Sequence, residues 1–180
     1  MDPIDENCLN PEHTFETFAV NAFNRFAHAA SVAVAESPST AYNPLFIYGG
    51  PGVGKTHLLH AIGRHATKLG SARVVRYLSA GQFNEDLDSS LRRGKIHTFR
   101  CRYRNVDLLL TDDIHLLANN ERAQAEFFRT FNELYNANKQ LVISSDRIPS
   151  RLHTVDDRLR ARFEQGLLAD IQRPDNGTRP

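Results

Sequence analysis

Apolar residues along this chain fall into short dense runs separated by longer stretches where they recur at helical spacing. Leu45-Phe46-Ile47-Tyr48 is an unbroken apolar run between Pro44 and Gly49, the pattern of a buried strand. Residues 74–78, Leu108-Leu109-Leu110, Leu141-Val142-Ile143 and residues 167–171 read the same way. Between the first two runs, Leu58, Leu59, Ile62 and Ala66 keep helical spacing over residues 56–68, and Gly70 follows as a stop signal. Further helices are expected at 24–36, where Ser37-Pro38 ends an Ala-rich stretch, at 80–93 and at 95–102. Another spans 121–138 with Phe127, Phe128, Phe131 and Leu134 on one side, and a short charged one spans 155–163. Strands alternating with helices, each strand apolar throughout, predict a mostly parallel five-stranded sheet covered on both faces, a three-layer α/β/α arrangement. Thr111 is a polar interruption expected to loosen its strand's edge slightly. Residues 1–13 read as a loose tail or linker, and residues 175–180 as a turn cut from a larger protein.

Composition narrows the function. A chain of 180 residues with 41% apolar residues suits one domain with a real core. A formal net charge of +1 argues against DNA binding driven mainly by bulk charge and leaves room for a local basic patch. Cys8 and Cys101 are far apart with no CxxC motif, which points away from a disulfide framework or a structural zinc. The acidic start, Met1-Asp2-Pro3-Ile4-Asp5-Glu6, is not a signal peptide, and no apolar run nears the roughly 20 residues that span a bilayer. A cytoplasmic protein is expected.

The strongest chemical signal is Gly49-Gly50-Pro51-Gly52-Val53-Gly54-Lys55-Thr56, which matches GxxxxGK[ST] between a strand and a helix. Glycines let the backbone wrap phosphates, and the helix start adds positive potential. Lys55 is expected to reach the β- and γ-phosphates of ATP, and the Thr56 hydroxyl to ligate Mg²⁺. Asp112 and Asp113 end the strand at 108–110, where α/β sheets bind ligands. Asp112 is assigned to Mg²⁺ through its water shell and Asp113 to polarising the attacking water. An Asp pair can also simply cap a turn.

Ser144-Ser145-Asp146 follows the run at 141–143, and Ser145 and Asp146 are both candidates to touch the γ-phosphate or orient water. A turn-forming Ser/Asp cluster is the plainer alternative. Arg158 and Arg162 stand at i, i+4 on one helical face, the placement of a pair in which one could act as an arginine finger, while Arg160 points elsewhere as a solvated charge.

Together these motifs resemble the DnaA family of bacterial replication initiators. The resemblance is carried by Asn43-Pro44-Leu45-Phe46-Ile47-Tyr48 with the glycine loop, His57 and Leu58, by Tyr103-Arg104-Asn105-Val106-Asp107 leading to Asp112-Asp113-Ile114, and by Glu126-Phe127-Phe128 with Thr130-Phe131-Asn132. Ser144-Ser145-Asp146-Arg147 and Asp157-Arg158-Leu159 with Arg162-Phe163 extend it, so that it covers about residues 9–174. It implies an AAA+ ATPase domain at 14–174, ATP and Mg²⁺ as cofactors, and head-to-tail self-assembly on a replication origin. It makes Arg162 an arginine finger acting in trans, Arg158 a subunit contact near the same nucleotide, Asp146 the sensor 1 residue, and His57 part of the ATP site. Residues 15–25 would pack around the adenine. Residues 80–105 match the insertion that marks initiators, and with Arg122 it would hold single-stranded DNA.

The insertion carries Arg92, Arg93, Lys95, Arg100, Arg102 and Arg104, offset by Glu85, Asp86 and Asp88, and Asp88 departs from the apolar or neutral residue usual there. The family's lid, its duplex-reading domain and its N-terminal interaction domain are not expected within this chain, so duplex reading is not expected and hydrolysis should be weak. The alternatives are a related regulatory or helicase-loading ATPase, with a helicase or loader as partner, and a nucleotide-binding interaction module without turnover.

Overall fold

The computed structural model describes residues 8–174, so the expectations for 1–7 and 175–180 lie outside the described residues. Five strands form one parallel sheet: β1 (Leu45–Tyr48), β2 (Val75–Ser79), β3 (Leu108–Asp112), β4 (Gln140–Ser145) and β5 (Leu167–Asp170). Their spatial order is β2-β3-β4-β1-β5, which seats β1 between the two strands made last. Six α-helices connect and cover them: α1 (Arg25–Glu36), α2 (Lys55–Leu69), α3 (Ala80–Arg92), α4 (Ile96–Arg104), α5 (Glu121–Asn136) and α6 (Asp157–Glu164). Two short 3-10 turns, Ile114–Leu117 and Pro149–Arg151, were not signalled by periodicity.

Alternation along each strand divides the core in two. Leu45, Ile47, Leu108, Leu110, Val142 and Ala169 face α1 and α2. Phe46, Leu109, Leu141, Ile143 and Leu168 face the layer of α3 to α6, where Phe83, Phe99, Phe127, Phe131 and Phe163 interlock. Burial on both faces explains why these strands read as continuous apolar runs.

Three expectations change. Thr111 does not loosen an edge: β3 is internal, and fully buried Thr111 pairs with Leu78 and Ile143. Strands β3 and β4 run two residues beyond their apolar runs, because buried Asp112, Ser144 and Ser145 find polar partners instead of ending the ladder. Residues 9–13 are not a loose tail. Leu9 packs against the core of the α1–α2 face, and the Asn10 N–H donates to His60 Nδ1 at 3.1 Å.

A single carboxylate ties the sheet's far end together. Asp107 accepts from the N–H groups of Arg73 and Val74, both at 2.9 Å, and from Lys139 Nζ at 2.8 Å. These contacts, led by the Lys139 ammonium, hold its carboxyl down to about 2.

Candidate functional site

The glycine loop leaves the carboxyl end of β1 and turns directly into α2. Gly54 caps that helix at φ +105, and a side chain there would stand 2.8 Å from the ring of Phe18, so only glycine serves. The first hydrogen bond of the helix runs from Leu58 N–H to Gly54 O at 3.1 Å, which leaves the amides of Lys55, Thr56 and His57 facing out of the helix start. Lys55 is buried, and its Nζ donates to the carbonyls of Gly49 (2.7 Å) and Gly50 (2.8 Å). Burial lowers its pKa, against the pull of Asp113, Asp112 and Asp146.

Asp112 is the hub of the site. Its Oδ2 accepts from the Thr56 hydroxyl at 2.6 Å and from the Tyr77 hydroxyl at 2.8 Å, and its Oδ1 accepts from the Ser144 hydroxyl. Hydroxyls from α2, β2 and β4 thus converge on the end of β3. The same Ser144 oxygen accepts the Asp113 N–H at 2.9 Å, holding Asp113 in a left-handed turn at φ +54. The Asp113 carboxylate forms no hydrogen bond among the described residues. Burial first, then the neighbouring Asp112 charge, raises its pKa. Burial and Asp112 likewise raise the Tyr77 phenol, which remains a donor.

Asp146 stands at the next strand tip. Arg147 grips it with two bonds, 2.9 Å and 2.7 Å, and lowers its pKa, while His115 Nδ1 lies 3.5 Å from Oδ1. Ser145, the other candidate at this tip, turns its hydroxyl to the Arg147 N–H at 3.3 Å and meets the loop through its carbonyl, which accepts the Gly49 N–H at 3.2 Å. His57 gives the site its amide but not its ring. The imidazole Nε2 donates to Thr14 O at 2.7 Å, and the ring stacks on His13 at 4.6 Å. Phe18 meets that ring edge-on, so the segment expected around an adenine does lie against the start of α2.

The structure gathers Gly49 to Thr56, Asp112, Asp113 and Asp146 at one end of the sheet. It does not join the α6 arginines to them. Arg158 lies over the Phe128 ring at 5.0 Å and pairs with Asp156, and Arg162 donates to Gln165 Oε1 at 3.1 Å. Arg160, expected to be solvated, instead pairs with Asp157. Tyr77 and Ser144 were missed: nothing in a lone strand tyrosine or serine signals that sheet register will bring it to Asp112.

The basic insertion also sorts itself. Arg102 binds Asp86 at 2.6 Å, Arg100 binds Glu126 in a two-bond fork at 2.7 and 3.1 Å, and Arg104 binds Glu133 at 2.9 Å. Arg92, Arg93 and Lys95 remain exposed around Gly94 at the α3–α4 turn, and Arg122 is exposed on the first turn of α5. Among the described residues, no helix is long and apolar enough to cross a membrane.

Comparison with known proteins agrees with this arrangement. The family described as the bacterial DnaA ATPase domain matches residues 9–170. A structure of the replication initiator DnaA bound to AMPPCP and single-stranded DNA is 46% identical, covers 93% of this chain and 52% of its own, and superposes with a TM-score of 0.90. Domain III of the Thermotoga maritima replication initiation protein DnaA is 47% identical over 94% of this chain and 70% of its own, with a TM-score of 0.90. The DnaC helicase loader shares the fold, with a TM-score of 0.73 at 20% identity over 89% of this chain and 97% of its own. The chain spans about half the length of the first of these relatives. With that match running over residues 9–170, nearly end to end, the chain belongs to the bacterial DnaA ATPase domain family.

Proposed function

We propose that this chain is the ATP-binding core of a chromosomal replication initiator, a slow ATPase that uses the nucleotide as an assembly switch. The observation that carries this reading is the Thr56–Asp112 contact, which joins the phosphate-loop helix to the acidic end of β3 in a hydroxyl–carboxylate pair suited to Mg²⁺. Thr56 and Asp112 would hold that ion, which when bound neutralises charge developing on the phosphates. Lys55 would exchange its two loop carbonyls for phosphate oxygens. Asp113, held in place through its backbone and with an uncommitted, more basic carboxylate, would take the proton of the attacking water. Asp146 would orient that water. Arg162 and Arg158 are exposed or partly exposed on α6 and make no bond to the chain's own loop, which suits action on a neighbouring copy's nucleotide.

The ATPase unit is residues 14–174 with 9–13 attached, in a cytoplasmic protein whose partners are a second copy of itself, origin DNA held as a single strand, and a replicative helicase or its loader. The relative bound to AMPPCP and single-stranded DNA supports both ligands. The test is titration of a fluorescent ATP analogue with and without Mg²⁺. Lys55→Ala should weaken binding by about 100-fold, the worth of charge-assisted phosphate contacts. Equal binding by that variant would overturn the reading. Arg162→Ala should bind ATP normally yet fail to form ATP-dependent oligomers in sedimentation.

A further inference from the structure

Arg173 is a cation at the phosphate loop that sequence motifs do not signal. It follows β5, whose register sets Tyr48 beside Asp170 and so carries the chain past the start of the loop. The backbone there is pinned on both sides: Ile171 N–H donates to Tyr48 O at 2.8 Å, and Gln172 N–H to Phe23 O at 3.2 Å. From that fixed base, Arg173 Nη2 donates to the Pro51 carbonyl at the loop tip. The same nitrogen would stand 3.6 Å from a side chain at Gly52, whose φ of +73 keeps that position as glycine. A guanidinium has five N–H donors, and Pro51 takes one.

The electrostatics call for such a group. Three carboxylates, Asp112, Asp113 and Asp146, converge here, and Lys55 is the cation built into the loop. Arg147 is spent on Asp146, and Arg158 and Arg162 make no bond to the loop. A polyphosphate adds further negative charge. We propose that Arg173 is a phosphate-positioning residue, reaching the bound nucleotide in cis from the segment after β5 while its bond to Pro51 steadies the loop tip. This rests on the nucleotide-binding reading above.

The test compares Arg173→Ala, Arg173→Gln and Arg173→Lys by titrating each folded variant with fluorescent ATP and ADP analogues at low and moderate salt. Arg173 is exposed, so none of these changes disturbs the core. Ala and Gln should each weaken ATP binding about tenfold, the scale of one charge-assisted contact, with reduced salt sensitivity. Lys should retain most of the affinity. Gln keeps a donor for the Pro51 carbonyl without the charge. Full affinity in Arg173→Gln would therefore leave only a structural latch and overturn the proposal, as would unchanged binding in Arg173→Ala. Lys55→Ala, run alongside, separates the two ideas: if it binds normally the nucleotide site is elsewhere, whereas its loss beside a neutral Arg173→Ala sinks Arg173 alone.

Discussion

The phosphate-loop site and the α3–α4 insertion are both dense in charge, yet they dispose of it in opposite ways. At the loop, of the acidic groups that stand together in sequence, Asp112 bonds to no side-chain cation among the described residues, because the hydroxyls of Thr56, Tyr77 and Ser144 are what hold it. In the insertion, half of the basic residues are consumed internally by Asp86, Glu126 and Glu133. Only the Arg92–Arg93–Lys95 turn keeps its charge for a partner. A count of charges in a sequence therefore overstates a binding surface wherever oppositely charged residues can fold back onto it.

That contrast can be broken most forcefully at Glu126, which is buried and receives Arg100 and Arg104. Glu126→Ala strands the Arg100 guanidinium and takes one of two carboxylate partners from Arg104, and should cost about 2–3 kcal/mol after allowing for solvent screening, read as a lower urea midpoint. A loss within 0.5 kcal/mol, the roughly ±0.5 kcal/mol of an ordinary surface change, would show that the insertion docks through its apolar face alone. Asp107→Asn should cost about 1–2 kcal/mol after allowing for solvent screening of its half-exposed ion pair. Its folded pKa of about 2 lies below the unfolded 3.8, so its stabilisation is complete above roughly pH 4 and fades as pH falls toward 2. The variant should flatten that acid limb in thermal melts.

Removing the charges of Arg92, Arg93 and Lys95 together should weaken single-stranded DNA binding by about tenfold and lower the salt slope by roughly 2. Arg100→Ala should leave the slope unchanged, since that guanidinium is already paired. The smallest effect on stability is expected at Asp113. Its raised pKa means the ionised form is penalised in the folded state, so stability falls as pH rises through that value. Asp113→Asn should raise the melting temperature at neutral pH by about 1–3 °C while abolishing turnover, the gain being small because the site is open to solvent.

Most of the fold was legible because a doubly covered parallel sheet writes itself as unbroken apolar runs, and Leu45 to Tyr48 and Leu108 to Leu110 obey that rule. The phosphate loop was equally plain, since its glycines, lysine and threonine are contiguous. What stayed hidden was everything set by register across strands. Ser144 rather than Ser145 meets the acidic pair because Thr111 pairs with Ile143, and Tyr77 arrives from a strand edge some 35 residues away in sequence. The same holds for residues 9–13: a polar segment with one leucine looks loose until His57 and His60 supply the surface it lies on.

The strand order has a temporal meaning too. Strand β1 is finished by residue 48, but its two hydrogen-bonding neighbours are β4, at 140–145, and β5, at 167–170. On a ribosome adding about 5–20 residues per second, both edges of β1 wait on the order of 5–25 s for their partners. Within this domain the glycine loop is synthesised early and set in place late. A nascent chain stalled before residue 140 would carry the whole phosphate-binding motif, yet the strand leading into it would have no neighbour to pair with.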